Sequence, residues 1–386
     1  MLLYGKNELY ARYKDENISE LIEFAERFCL SGNIIKAKTA WLIMMDENPF
    51  SICAERKGAI GSAKEYAKQD IAKLYEDFFA NPKDAILENY IPLGKPSSNE
   101  DQRIGKLITE FVSKLDDACS KEEFFDEVLS FYEKYGVGDF GLNKAFYMQD
   151  DGDIIPVSNL SEATFNDICG YESQKERLII NTKAFVEGRG ANNVLLYGDS
   201  GTGKSTSIKA ILNMFYENGL RMVQIQKHQF VHLGSLTQKL KKRNYRFVLY
   251  IDDLSFEDFE VEYKYLKAAI EGGLEEKPEN VLIYATSNRR HLIKETFSDR
   301  EGSDDVHRNE SIEEKVSLSH RFGLSIFYPK PMQEEYFNIV LHLAKQNGIE
   351  EDPEILIAEA RKWGVANGGY SGRTGAQFIN KIKSDK

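Results

Sequence analysis

Apolar residues recur at helical spacing through the first 150 residues of the chain. Pro82, Pro92 and Pro96 interrupt this zone, and LGKPSSNEDQ reads as a loop between helices. The pattern predicts an α-helical N-terminal domain over residues 1–150, whose role no motif within it indicates. The two clearest apolar stripes are Ile18, Leu21, Ile22, Ala25 and Phe28, and Ile71, Leu74, Tyr75, Phe78 and Phe79.

The pattern changes over residues 165–330. Short apolar runs, each long enough for one buried strand, alternate there with amphipathic segments, which predicts an α/β domain with a parallel sheet covered by helices on both faces. After Pro331 the apolar residues return to helical spacing, so we expect a small helical domain over residues 331–386. The strand-like runs are NVLLYG, RMVQIQ, RFVLYIDD, NVLIYATSN and GLSIFY.

A glycine-rich loop joins the first of these runs to a helix. Its sequence, GDSGTGKST, fits the pattern GxxxxGK[ST] in the strand–loop–helix context that a phosphate-binding loop requires. Glycines let the backbone N–H groups approach a triphosphate, and the helix N-terminus adds its positive end. Lys204 is predicted to contact the β- and γ-phosphates, and Ser205 to ligate Mg²⁺. The predicted nucleotide-binding residues are Gly198, Asp199, Ser200, Gly201, Thr202, Gly203, Lys204, Ser205 and Thr206.

Polar residues follow two further strands at the edge where the loop should lie. Asp252 and Asp253 end the run FVLYIDD, and Asn288 ends the run VLIYATSN. Hydrolysis of a nucleotide needs a carboxylate for the metal and a group that orients water. We therefore expect Asp252 to hold Mg²⁺ and Asp253, with Asn288, to orient the attacking water. Glu257 is a second candidate for the general base that activates this water, and it is a weaker candidate than Asp253.

Composition and charge narrow the class of protein. The chain has 386 residues, 42% of them hydrophobic, and a formal net charge of −12, which argues against a general nucleic-acid coat. Four dispersed cysteines favour neither a zinc site nor a disulfide framework. The N-terminus is too polar for a signal peptide and no apolar run is long enough to span a bilayer. We expect a cytoplasmic protein that does not interact with a membrane.

The motifs GDSGTGKST, YIDDLSFE, YATSNRRHL, LSHRFG and GGYSGRT stand in the order of an AAA+ ATPase module. The sequence from about residue 165 onward resembles that superfamily. More narrowly, it resembles a bacterial branch of predicted AAA+ ATPases without an assigned cellular role. The resemblance implies a P-loop NTPase sheet of AAA+ type with a C-terminal helical lid, the substrate ATP with Mg²⁺, and a homo-oligomer with shared active sites.

The resemblance also implies roles for three residues outside the strand ends. Arg321 lies where similar modules place an arginine that reaches the γ-phosphate in the next subunit, and Arg373 matches an arginine of the lid that reaches back to the nucleotide. Tyr171 precedes the first helix of the module, where it either contacts the adenine base of the nucleotide or packs in the core. An arginine of the first kind contributes about 10³- to 10⁵-fold in rate in well-studied phosphoryl-transfer systems.

In similar modules, the motif that corresponds to YIDDLSFE ends in Asp-Glu. This chain has Asp253 in place of that glutamate, and the side chain of Asp253 is one methylene shorter. We therefore expect slow ATP hydrolysis coupled to conformational change that acts on a protein client. A nucleotide-controlled adaptor with negligible turnover is the first alternative. A DNA-associated initiator or loader is the second, based on LSHRFG and on the basic run KLKKRNYRF, in which Tyr245 would stack on a base.

The basic run and two further segments allow more than one interpretation. The basic run is either a solvated helix end or the DNA contact just described. Phe230 and Val231 lie near the position of a pore loop in some ring-shaped unfoldases, although the local pattern is weak. Residues 298–315 are either a solvated loop or an element that orders when a neighbouring subunit docks.

Overall fold

The computed structural model of the protein describes residues 18–56, 61–79, 85–96, 98–256, 261–271, 278–288, 318 and 321–385. The chain folds into two compact units. The first unit contains the described residues up to Ala145, Pro156–Leu160 and Lys242–Tyr245. The second contains Phe146–Ile155, Ser161–Lys241 and the described residues from Arg246 onward, so the C-terminal helices belong to the same unit as the sheet.

The first unit is a helical bundle around an aromatic-rich core. Asn33 caps one helix through its side chain, and Asn48 with Ser51 forms a capping box directly before the helix that Pro49 begins. Phe50, Phe111 and Phe124 are among the fully buried side chains. Its helices are α1 (Ile18–Phe28), α2 (Ile34–Met45), α3 (Pro49–Glu55), α4 (Ser62–Phe78), α5 (Ala85–Glu88), α6 (Asn99–Asp116), α7 (Lys121–Tyr135) and α8 (Gly138–Leu142).

The sheet has seven strands in the order β2-β1-β4-β5-β6-β3-β7. The pairs β4–β5, β5–β6, β6–β3 and β3–β7 are all parallel. Strands β3 to β6 are almost continuously buried, because helices cover a parallel sheet on both faces. The strands are β1 (Ala145–Met148), β2 (Ile154–Pro156), β3 (Val194–Gly198), β4 (Leu220–Gln224), β5 (Arg246–Ile251), β6 (Val281–Ser287) and β7 (Leu324–Tyr328).

Helices alternate with the strands of this sheet and then follow it. The last of them pack together on their own apolar cluster, which includes Tyr336, Leu356 and Phe378. The fold class predicted from the sequence, a parallel P-loop sheet followed by helices and preceded by a helical region, is confirmed. The helices are α9 (Glu172–Val186), α10 (Lys204–Phe215), α11 (Leu233–Lys241), α12 (Glu262–Glu271), α13 (Gln333–Gln346), α14 (Pro353–Ala366) and α15 (Gly372–Ser384).

The strand register brings the polar strand ends together. Tyr197 of β3 lies opposite Ser287 of β6, and Ile251 of β5 lies opposite Ala285 of β6. Three adjacent strands therefore end at one edge of the sheet. In open α/β sheets, ligands bind outside this carboxyl edge.

Candidate nucleotide site

A cavity of about 510 Å³ lies at the carboxyl edge of the sheet. Its walls come from the loop between β3 and α10, from the residues after β5 and β6, and from α13 and α15. The predicted residues that line it are Tyr171, Ser200, Gly201, Thr202, Gly203, Lys204, Ser205, Thr206, Asp252, Asp253, Asn288 and Arg373. The structure thus brings most of the predicted site together around one space.

The glycines of the loop are required by its backbone. Gly198 has φ 135°, and a Cβ atom there would lie 2.0 Å from the Tyr328 carbonyl oxygen. Gly203 has φ 91° and begins α10 without a side-chain cap. The first N–H groups of a helix lack intrahelical partners, so this helix start offers donors to an anion.

Lys204 is buried, and its ammonium group binds the loop itself. Its Nζ donates to the carbonyl oxygens of Gly198 (2.8 Å) and Asp199 (2.6 Å) and to Oδ1 of Asn288 (3.2 Å). Burial lowers the pKa of Lys204, while the neighbouring carboxylates of Asp199, Asp253 and Asp252 oppose that shift. The cation is therefore held at the base of the cavity, where a phosphate would meet it.

Ser205 and Asp252 form the candidate metal site. Ser205 Oγ donates to Asp252 Oδ1 at 2.8 Å, and Thr286 Oγ1 donates to the same oxygen at 2.6 Å. Burial opposes ionisation of Asp252, but its hydrogen bonds, the strongest from Thr286, hold its pKa below the usual value. A hydroxyl and an ionised carboxylate side by side fit Mg²⁺, which binds hard oxygen ligands.

Asp253 and Asn288 form a second pair above the sheet edge. Asp253 has φ 52°, a left-handed conformation that aspartate tolerates better than most side chains, and its N–H donates to Thr286 Oγ1 at 2.9 Å. Asn288 Nδ2 donates to Asp253 Oδ1 at 2.7 Å. Because Asn288 also accepts from Lys204, it links the predicted base to the phosphate-binding lysine.

The helices after the sheet close one side of the cavity. The backbone N–H of Arg373, in the first turn of α15, lies 3.4 Å from the Gly201 carbonyl oxygen. The positive charge of Arg373 is among the causes that lower the pKa of Lys204. Arg373 and the phosphate loop therefore face the same space.

Tyr171 lines the cavity while packing against the end of β7. Its ring stacks on Tyr328 with centroids 5.1 Å apart, and its hydroxyl donates to the Pro329 carbonyl oxygen at 2.8 Å. Burial raises the pKa of Tyr171 to about 12. Contact of Tyr171 with the adenine base of a nucleotide stays a prediction.

Arg321 is one of the residues that the structure describes, and it is not part of the cavity wall. Its Nε donates to a carboxylate oxygen of Glu271, at the end of α12. One guanidinium nitrogen, Nη1, is buried and has no hydrogen-bond partner in the part of the chain that the structure describes. This position is compatible with a role outside the site of its own chain.

Two of the alternative interpretations of the sequence do not fit the structure. Tyr245 is 6% exposed and donates to the Tyr135 carbonyl oxygen, so its ring has no free face on which a base could stack. Phe230 is 1% exposed and packs against Phe256, as expected of a core residue rather than a pore loop. Glu257 and residues 298–315 lie outside the described residues.

Part of the cavity wall was not predicted from the sequence. His342 lines the cavity, and its Nε2 lies 2.7 Å from the Asn166 carbonyl oxygen. Its place three residues after Ile339 on α13 was the available signal, since both residues lie on one helix face and both line the cavity. Ile168 and Cys169 line it as well, and no motif marked them.

The phosphate loop, the strand-end carboxylates and the parallel sheet define a P-loop type of α/β fold with a candidate nucleotide site at its carboxyl edge. Residues 142–386 match the family described as "Protein of unknown function (DUF815)". The chain belongs to this family. No curated protein matches the sequence.

Several solved structures are similar to the chain. Two RuvB mutants of Thermotoga maritima match 57% and 58% of this chain with 16% and 18% identity and TM-scores of 0.40 and 0.42. The chain spans 65% and 66% of the length of those two proteins. The Thermotoga maritima RuvB Holliday junction branch migration motor matches 56% of this chain and 71% of its own, with 17% identity and a TM-score of 0.36.

None of the described helices is both long enough and apolar enough to cross a bilayer.

Proposed function

We propose that this protein binds ATP with Mg²⁺ in the cavity and hydrolyses it slowly, coupling turnover to a conformational change that acts on a protein client. The observation that carries the proposal is the convergence of Lys204, Ser205, Asp252, Asp253, Asn288 and Arg373 on one cavity at the carboxyl edge of the sheet. A tight turn alone would not need this set of charged groups around it.

Each residue of the proposed site has a separate role, which follows from its position. The loop N–H groups and Lys204 bind the β- and γ-phosphates, for which Lys204 gives up its bonds to Gly198 and Asp199. Ser205 and Asp252 hold Mg²⁺, which neutralises charge that develops on the phosphate oxygens. Asp253 accepts a proton from the attacking water, and Asn288 fixes the orientation of the Asp253 carboxylate.

Two further arginines complete the proposed site. Arg373 reaches the bound nucleotide from α15, so that nucleotide occupancy controls how the helices after the sheet pack on the phosphate loop. Arg321 contributes from a neighbouring copy of the chain, where its charge offsets that of the transferred phosphoryl group. Its pairing with Glu271 within one chain supports this assignment, because Arg321 is held apart from the cavity of its own subunit.

The direct test is ATP binding and turnover by the purified protein with and without Mg²⁺. Lys204→Ala is expected to abolish both, because no other lysine among the residues lining the cavity replaces it. Lys183→Ala, which removes an exposed lysine of α9, is the matched control and is expected to behave as the wild type. Equal ATP affinity in the wild type and Lys204→Ala would contradict the proposal.

A further inference from the structure

The wall of the nucleotide cavity has two chemically different parts. Most of its charged groups come from the loop after β3 and from the residues after β5 and β6. Aliphatic side chains from α13, α15 and the segment before α9 form an apolar part, which could not solvate a phosphate but matches a flat heterocycle. This part therefore fits the base of a nucleotide. Its aliphatic residues are Ile168, Ile339, Leu343 and Ala376.

His342 adds a polar side chain to this apolar part of the wall. It lies on α13 beside Leu343 and three residues after Ile339. Two other polar side chains of the wall are engaged elsewhere. Oδ2 of Asp167 accepts from the Thr164 N–H at 2.7 Å, and the Tyr171 hydroxyl donates to a backbone carbonyl at 2.8 Å. The imidazole of His342 is therefore the group to consider for recognition of a base.

The hydrogen bond that His342 makes defines the roles of its two ring nitrogens. Nε2 lies 2.7 Å from the carbonyl oxygen of Asn166. A carbonyl oxygen can only accept, so Nε2 carries the proton of the neutral ring and Nδ1 keeps its lone pair. Nδ1 has no hydrogen-bond partner within the part of the chain that the structure describes. His342 therefore offers an acceptor to a ligand, on a ring whose orientation Asn166 holds.

We propose that His342 determines specificity for the base, with Nδ1 accepting a hydrogen bond from the 6-amino group of adenine. The inference rests on the proposed function, because it assumes that ATP occupies the cavity. Adenine joined to ribose has one N–H donor group, the 6-amino group, so an acceptor beside the ring selects for that group. A site that hydrogen-bonds a ligand group discriminates against the analogue that lacks it, because the protein atom then loses its partner.

The test compares the dissociation constant of Mg-ATP with that of purine riboside triphosphate, which has hydrogen in place of the 6-amino group. Both are measured by displacement of a fluorescent nucleotide. The wild type is expected to bind ATP about 3- to 10-fold more tightly, the range for one hydrogen bond between neutral groups. His342→Phe keeps a flat ring but has no acceptor, so the ratio should fall to about 1. Gln346 still donates to the Asn166 carbonyl in this variant.

Gln346→Ala is the matched control. Gln346 Nε2 donates to the same Asn166 carbonyl at 3.1 Å, but Gln346 is a described residue that is not part of the cavity wall. This variant should keep the wild-type ratio.

Three results would overturn the inference and leave the proposed function standing. They are equal affinity of the wild type for the two nucleotides, an unchanged ratio in His342→Phe, and an equal fall of the ratio in Gln346→Ala. The first of these needs no variant, so it tests the inference even if His342→Phe does not fold. Failure of the wild type to bind Mg-ATP would overturn both the inference and the proposed function.

Discussion

At the scale of single residues, the site is organised by a short chain of hydrogen bonds. Asn288 accepts from Lys204 and donates to Asp253, so one amide contacts both the phosphate-binding cation and the proposed base. Asp253 is one methylene shorter than the usual glutamate, and its left-handed backbone changes the direction in which its carboxylate leaves the strand end. If this geometry supports hydrolysis of ATP, the protein is an ATPase. If it does not, the protein is a nucleotide-controlled adaptor.

Asp253→Asn decides between these two functions. Asparagine tolerates the left-handed conformation and keeps the size of the side chain, so the fold and ATP affinity should be retained. Loss of the base should slow single-turnover hydrolysis by about 10²- to 10⁴-fold. A single-turnover rate equal to that of the wild type would favour the adaptor.

Much of the site could be predicted from residue spacing, because a phosphate loop and the acid at the end of a buried strand are fixed by local chemistry. Lys204, Ser205 and Asp252 were found in this way. His342 was not, since no motif marks a single polar residue on the apolar face of a helix, although its spacing from Ile339 places both on the side that lines the cavity.

At the scale of elements, the segment between α11 and β5 was the most misleading part of the sequence. Lys239 and Lys241 lie exposed in the last turn of α11, as expected of a solvated helix end, but Lys242–Tyr245 belongs to the helical first unit. Arg243 binds Glu55 at 2.7 Å and Glu47 at 2.6 Å, and its guanidinium lies 4.8 Å from the centre of the Phe140 ring. These partners are more than 100 residues away in sequence, so no local pattern could reveal them.

The Arg243–Glu55 pair predicts a large effect on stability. Both side chains are buried, with 7% and 2% exposed, so Arg243→Ala leaves the Glu55 carboxylate buried without its guanidinium partner. We expect a loss of about 3–5 kcal/mol in the free energy of unfolding, measured by urea denaturation. Lys242→Ala, at the exposed neighbouring position, is the control and should change it by less than about 0.5 kcal/mol. Similar losses in both variants would contradict the importance of the ion pair.

The strands themselves were easier to predict than their order. Each apolar run was long enough for one buried strand, and helical segments between the runs required parallel crossovers. The position of β3 between β6 and β7 depends on pairing between distant segments, which the spacing of apolar residues does not encode. The register then explains why Gly198, Asp252 and Asn288 meet.

At the scale of the whole molecule, the central proposal is an active site shared between copies of the chain. Lys204 and Asp252 belong to the cavity, whereas Arg321 is paired with Glu271 and does not line the cavity within the described residues. If Arg321 acts on the nucleotide of a neighbour, one subunit must supply the nucleotide site and another the arginine. A variant that lacks one of these parts can still provide the other.

The most direct measurement is therefore ATP turnover by a mixture of Lys204→Ala and Arg321→Ala proteins in equal amounts. Lys204→Ala has lost the phosphate-binding lysine but keeps Arg321, and Arg321→Ala has the reverse defect. The account predicts that the mixture hydrolyses ATP faster than the sum of the two variants alone, at a protein concentration where the wild type is active. Turnover no greater than that sum, in subunits shown to exchange, would contradict a shared site.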